Sequence, residues 1–473
     1  MNALTHALRT TRRLLQKRTV QVMLIVLLAL ILRLGHVLLN ERWPSIWGGD
    51  YSWYAEYGKT LVTTGWTFGP PPTGPIFLLV AGYAEQLSPP AFASGQPAWL
   101  LQRMLAGEII FLNPVGSGQM LIRLLHALVG ALTVLMLYRI GRAAWSHTAG
   151  LMTAAAVAIN PIFILEAGNL ATESITLFLA LWALALWMER IEVPGWRLMA
   201  AAGSLLALAA LTRSVFLAFP LIPLTHLWIR FGVRRALRWG SILLLAFFLT
   251  ISPWTLYNLV QWNRLTLTGE GLLGMLYVGA TGWKAPQQVD AELGFEGTGA
   301  EGSDYAARQN AFTRGFLDTV LSNPAGYAAR RLGELGSALL QPHNTTFYPG
   351  ASIKALALDW LRHDRSPGGL LALTQVESFW QKLLLYVFHY VALLVGAAGL
   401  ILNRRRWRDL WPLYAPFGYF LGIHLVLSAI PRYLFPLEPF LWLFAGAALT
   451  AYAAASHRHD QRVMESSSVK TVQ

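Results

Sequence analysis

Apolar runs close to the ~20 residues that an α-helix needs to cross a bilayer recur along most of the chain. They fall at Val20 to Leu39, Met120 to Tyr138, Ala149 to Leu165, Ile175 to Trp187, Leu198 to Leu211, Val215 to Ile229, Ile242 to Leu259, Leu383 to Leu402, Leu410 to Ile430 and Leu434 to Ala454. A bilayer interior offers no water to backbone N–H and C=O groups, so only helices or closed barrels span it, and runs this long select helices. The composition agrees: 55% of residues are hydrophobic and 13% charged, against ~25% charged in a soluble domain. Mean hydropathy is +0.45. The expected fold class is an all-α polytopic integral membrane protein with about ten transmembrane helices. The first run is long for a signal-peptide core and no small-residue cleavage pattern follows it, so it is expected to remain as an anchor.

Charge orients the chain. Arg9, Arg12, Arg13, Lys17 and Arg18 precede the first run, which places the N-terminus in the cytoplasm. With alternating spans, the clusters Arg139/Arg142, Arg190/Arg197, Arg230/Arg234/Arg235/Arg238, Arg404/Arg405/Arg406/Arg408 and Arg458/Arg462 all fall on that side. The net charge of +13 is then topological signal and contact with anionic lipid heads, and no nucleic-acid partner is implied. The division expected is a basic cytoplasmic N-terminus (1–19), a membrane domain (20–460) and a cytoplasmic polar tail (461–473). The chain has no cysteine, which excludes thiol catalysis, disulfides and cysteine metal sites. It also has no Walker loop or Rossmann fingerprint, which disfavours a nucleotide sugar bound on the cytoplasmic side.

Two long connections, 40–118 and 261–381, fall on the outer side and carry nearly all the extramembrane mass. In the first, Tyr51 to Thr64 reads as a short amphipathic helix with Asp50 at its N-cap and Gly65 at its stop. The turn Gly69-Pro70-Pro71-Pro72-Thr73-Gly74-Pro75 follows, then two apolar stretches too short to span, Ile76 to Leu87 and Trp99 to Leu112, expected to lie at the interface. The second connection predicts helices over Tyr305 to Leu321 and Tyr327 to Leu340, separated by Asn323-Pro324. As an N-cap Asp50 would contribute ~1 kcal/mol and nothing more.

Motifs in order along the chain add a second reading. Gly49-Asp50 with Tyr54 and Ala55, Gly65 and the Pro71-Pro72-Thr73-Gly74-Pro75 turn come first. Arg123 with Gly130 and Tyr138, Asn160-Pro161, Thr172-Glu173, Pro253-Trp254 with Asn258, Asn323-Pro324, and Arg432-Tyr433 with Pro436 and Pro439 follow. This series resembles the family 39-type glycosyltransferases that use polyprenyl-phosphate sugars, which include protein O-mannosyltransferases and the aminoarabinose transferases of lipid A. Two positions differ from the family pattern: Tyr51 follows Asp50 where mannosyltransferases pair two acids, and Tyr257 replaces an arginine.

The resemblance implies a GT-C-type bundle, an active site on the outer face, and transfer of a sugar from a polyprenyl-phosphate donor to a hydroxyl on lipid, glycan or protein. Such a transfer needs a base for the acceptor proton and cations for the departing phosphate. Asp50 is the candidate base. Glu173, at the outer start of a span, is the acid that the family places beside it, and Glu166 lies just before. Arg432 is the candidate phosphate ligand, with Tyr433 and Tyr54 from the motifs. Arg213, like Arg432, stands at an outer span end against the positive-inside bias. Arg123 and Lys59 are further binding candidates. Two carboxylates without histidine are compatible with a divalent ion such as Mg²⁺ or Mn²⁺, so a metal is left open. The competing class is a transporter or flippase of a lipid-linked envelope precursor. Internal repeats would mark a transporter, and none is visible.

Overall fold

The computed structural model describes residues 18–39, 48–67, 69, 71, 73–87, 117–282, 286–294 and 305–470; among them helices are the only regular structure. The basic residues before Arg18 and the stretch Trp99 to Leu112 lie outside the described residues. Each of the ten apolar runs is helical. Six helices are long and apolar enough by themselves to cross a membrane: Arg18–Leu39, Gly118–Ala144, Ser214–Phe231, Val233–Trp262, Phe379–Arg406 and Pro431–Ser456. The other four runs are the shorter helices His147–Ile159 (continued by Pro161–Glu166), Glu173–Arg190, Trp196–Thr212 and Trp411–Val426.

The bundle is apolar outside as well as inside. Met23, Leu24, Leu27 and Ile31 on the first helix and Leu245, Leu249, Leu256 and Val260 on Val233–Trp262 are exposed. Water would not tolerate such faces over helices of this length, whereas lipid does. The terminal helix Glu438–Lys470 packs centrally, against Phe379–Asn403, His147–Ile159 and Ser117–Ala144. Its residues Leu443, Phe444 and Ala445 are fully enclosed.

A local break engages one set of polar groups inside the bundle. Pro161 has no N–H to return to the preceding turn, so the helix His147–Ile159 stops, and the Asn160 side chain accepts from Ile162 N (2.9 Å) to start the next one. The carbonyls freed at Val157 and Ala158 are taken by the buried Arg33 guanidinium of the first helix, each at 3.3 Å. Both terminal nitrogens of an arginine inside a span are thereby engaged by the break that it covers.

Two segments between spans shape one end of the bundle. The helix Gly48–Thr64 starts earlier than the sequence suggests, so Asp50 lies within its first turn instead of at the N-cap. There the carboxylate gains the helix dipole without spending its oxygens on backbone N–H groups. Gly65 ends the helix at φ +78, as expected. The helix Pro75–Gln86 packs on it and buries Phe77, Leu78 and Ala81, so it is part of the core rather than a free interfacial helix. The turn between them presses Gly74 against the Leu211 carbonyl, where any Cβ would sit 2.0 Å from the oxygen. This contact ties the first connection to the end of Trp196–Thr212, next to Arg213.

Candidate functional site

Four charged side chains from four separate segments meet at one end of the bundle. Asp50 comes from the Gly48–Thr64 helix, Glu173 opens the helix Glu173–Arg190, Arg213 caps Trp196–Thr212, and Arg432 lies on the short turn of helix Pro431–Leu434. Arg432 is the bridge. Its Nη1 donates to Asp50 Oδ2 at 2.8 Å, its Nη2 to Glu173 Oε2 at 3.2 Å, and its Nε to Glu173 Oε1. Arg213 Nη1 donates to the same Oε1 and to Thr172 Oγ1 at 3.2 Å. The series therefore runs Asp50, Arg432, Glu173, Arg213.

Exposure falls from Asp50 through Arg432 to Glu173 and rises again at Arg213. The Glu173 side chain is 1% exposed and Arg432 10%, whereas Asp50 is 55% exposed. A buried carboxylate is tolerated only with compensating charge and hydrogen bonds, and Glu173 has two guanidinium partners. Asp50 offers the solvent one oxygen held by Arg432 and another that is open to a hydroxyl.

Aromatic rings line the cluster. Tyr433 carries the Arg213 guanidinium over its face at 5.2 Å and stacks on His424 at 5.4 Å and 20°. Tyr54, one turn from Asp50, packs edge-on against Phe77 at 5.1 Å. Desolvation, with the Asp50 charge second, pushes its phenol up to about 12, so Tyr54 stays protonated as a hydrogen-bond donor.

Three of the residues singled out in the sequence lie outside this charged cluster, two of them engaged elsewhere. Glu166 accepts from His343 Nε2 (2.8 Å), Asn169 Nδ2 (2.7 Å) and Asn344 Nδ2 (3.3 Å), forming a buried polar cluster that braces the turn before Glu173. Arg123 donates to the Gly168 carbonyl of that turn at 3.0 Å. Lys59 is exposed and lies nine helical positions from Asp50, ~13 Å along the axis. The site-supporting residues His343 and Asn344 are not apparent in the sequence, because nothing near them in the chain marks a partner 177 positions away. Tyr257, at the position where the family pattern has arginine, accepts from Thr67 N at 2.8 Å and stacks between Trp66 and Trp254. It fastens the segment that follows the Gly48–Thr64 helix to the Val233–Trp262 helix.

The donor set suits a guanidinium better than a metal ion. Both Glu173 oxygens accept from arginine, and Arg432 occupies the position between the two carboxylates that a shared cation would take. Among the described residues no group of three His, Cys, Asp or Glu side chains is arranged to hold an ion.

Residues 99–257, about a third of the chain, match the family model described as dolichyl-phosphate-mannose-protein mannosyltransferase. Among solved structures, the oligosaccharyltransferase of Archaeoglobus fulgidus in its apo form is similar over 95% of this chain and 52% of its own, with TM-score 0.50 and 12% identity. The same protein tethered to an acceptor peptide containing the NVT sequon is similar over 94% and 51%, with TM-score 0.51 and 14% identity. ArnT from Cupriavidus metallidurans, bound to undecaprenyl phosphate, covers 92% and 79% at 14% identity, but its TM-score of 0.35 is too low to bear on the fold. No curated protein sequence matches the chain. The chain thus spans about half the length of the oligosaccharyltransferase that it resembles. The all-helical GT-C fold expected from the motifs is borne out over nearly the whole chain, and the family resemblance over residues 99–257.

Proposed function

We propose that the protein is a membrane glycosyltransferase that moves a sugar from a polyprenyl-phosphate donor to a hydroxyl acceptor, with the site on the outer face of the membrane. The observation that carries this reading is the exposed Asp50 carboxylate joined through Arg432 to a buried acid and a second arginine. The family match, to a group described by a dolichyl-phosphate-linked donor, supports the donor class. The basic loops at the opposite ends of the spans support the orientation.

The chemistry follows from the charges. Asp50 accepts the proton of the attacking hydroxyl while the acceptor oxygen forms its bond to the sugar C1. The bond between C1 and the phosphate oxygen breaks, and polyprenyl phosphate leaves with the electron pair. Attack opposite the leaving group inverts the anomeric configuration. Arg432 and Arg213 face the growing charge on the phosphate, with Glu173 holding both in place. A phosphate entering the site competes with Asp50 for Arg432 Nη1, so donor binding frees Asp50 Oδ2, the oxygen that Arg432 held, as it takes up the cation. Tyr54 and Tyr433 form the walls beside the sugar and the phosphate. No step is routed through a divalent ion.

The test separates charge from shape. Asp50→Asn keeps the size of the side chain and removes its basicity, so the purified, folded variant should transfer sugar ~100-fold more slowly or worse. Asp50→Ala should be as slow. Wild-type rates from Asp50→Asn would end the assignment. Mass spectrometry of envelope glycolipids and glycoproteins with and without the gene would identify the sugar and the acceptor.

A further inference from the structure

The helix Trp411–Val426 ends just before the turn that carries Arg432, and its last carbonyls have no partners of their own in the helix. The Ile423 carbonyl takes the N–H of Leu427 at 2.8 Å, and side chains supply those that follow. Arg331 Nη2 donates to the His424 carbonyl at 2.9 Å and also to that of Leu427, while its Nε donates to Leu425 at 3.1 Å. Tyr327 Oη donates to Val426 at 3.3 Å, and the His424 ring reaches forward to Ser428 at 3.0 Å through Nδ1. Five consecutive carbonyls, 424 to 428, are thus held by side chains, four of them from a single helix.

That helix, Pro324–Leu339, belongs to the 261–381 connection and contributes no group to the charged cluster. Tyr327 and Arg331 are one turn apart on it, so they present one face. Arg331 is almost wholly buried and also pairs with Glu334, which fixes the orientation of its guanidinium. A buried cation at a helix C-terminus is favourable for the dipole as well as for the carbonyls. From Ser428 the chain needs only Ala429, Ile430 and Pro431 to reach Arg432. The His424 ring adds a second link by stacking on Tyr433, which lies under Arg213.

We infer that Arg331, assisted by Tyr327, is a positioning residue: it sets the place of the 424–433 turn, and through it the grip of Arg432 and Tyr433 on the donor phosphate. The inference rests on the reading of Arg432 as a phosphate ligand. It makes the 261–381 connection a determinant of donor binding: its helix Pro324–Leu339 contributes no side chain to the charged cluster but packs on the Pro431–Leu434 turn that carries Arg432. Loosening the turn weakens the donor and leaves the acceptor, which meets Asp50 on another segment. The loosening is also visible without any turnover, as loss of backbone protection confined to the turn.

The experiment measures both in purified full-length protein. Arg331→Met should raise the donor KM about tenfold and leave the acceptor KM within about twofold, with Arg331→Lys intermediate because it keeps the charge and loses the fork. Tyr327→Phe, which removes one hydroxyl and leaves the fold intact, should shift the donor KM in the same direction by about threefold. Hydrogen exchange should quicken at 424–433 in both variants while the core of Glu438–Lys470 stays protected. Unchanged exchange at 424–433, or donor and acceptor KM rising together, overturns the inference; if Arg331→Met does not fold, Tyr327→Phe decides by the same two readouts. Should wild-type protein transfer nothing from a polyprenyl-phosphate sugar, the functional reading fails by itself, and the exchange arm still judges the coupling.

Discussion

The helix Glu173–Arg190 carries the same arrangement at both ends, one carboxylate between two arginines, and the two ends differ in what faces the solvent. At its start Glu173 is enclosed between Arg213 and Arg432. At its end, ~24 Å away, Glu189 pairs with Arg139 at 2.6 Å and Arg142 at 3.0 Å. The Glu189 cluster opens outward through an arginine, Arg142, which is 50% exposed. The Glu173 cluster opens through a carboxylate, Asp50, brought in by a separate connection. An exposed arginine at the end of a span needs only lipid phosphate or water, whereas an exposed acid fastened to a buried network can take a proton and return it. A count of arginine partners on each glutamate would therefore rank the two ends equally; the identity of the outermost member separates them.

The comparison breaks most severely at Glu173. Glu173→Gln leaves the buried Arg432 and the half-buried Arg213 beside it without their shared countercharge, a loss of up to ~3–5 kcal/mol, as for a buried pair. Thermal unfolding in detergent should register it as a marked drop in stability, and transfer should fall by ~100-fold or more in whatever folds. Wild-type stability would mean that the network does not hold Arg432 as the distances suggest.

A smaller effect is expected one residue along the series. Arg432→Lys keeps the charge but cannot reach Asp50 Oδ2 and both Glu173 oxygens together, as the guanidinium does. Donor KM should rise ~10-fold with a lesser change in acceptor KM. Equal donor binding by Arg432→Lys and wild type would remove the bidentate contact from the phosphate site, and equal binding by Arg432→Ala would remove the residue altogether.

Much of this architecture is legible in the sequence, for identifiable reasons. Long apolar runs have one physical solution, so the helices come directly from them. Arg213 and Arg432 stand out as arginines at outer span ends against the positive-inside bias, Asp50 and Glu173 come from the motif resemblance, and the structure brings these four together. Less legible is how each is held. The apolar pattern puts Asp50 at an N-cap, but the helix begins two residues earlier, because glycines 48 and 49 carry no hydrophobic signal. Proximity in sequence puts Glu166 near the site, yet its partners His343 and Asn344 come from the other connection. Arg331 gives no sign at all. Its partners at the turn are backbone carbonyls, which are the same for every residue type and so leave no trace in sequence.

The mildest change sharpens the comparison from its other end. Glu189→Gln removes a carboxylate with two arginine partners, as Glu173→Gln does, so a purely structural account of such clusters predicts similar losses. Glu189 is 17% exposed and Arg142 reaches solvent freely, so both arginines can be hydrated or can pair with lipid phosphate once the acid is gone. The expected cost is then at most ~1 kcal/mol, the range of solvent-accessible ion pairs. Transfer should stay within about twofold of wild type, since no donor or acceptor group lies at that end. Thermal unfolding and transfer assays on the two glutamine variants side by side measure the contrast directly. A loss at Glu189 as large as that at Glu173 would show that the helix needs both clusters for its fold, and the case for a specialised site at the Asp50 end would then rest on Asp50→Asn alone.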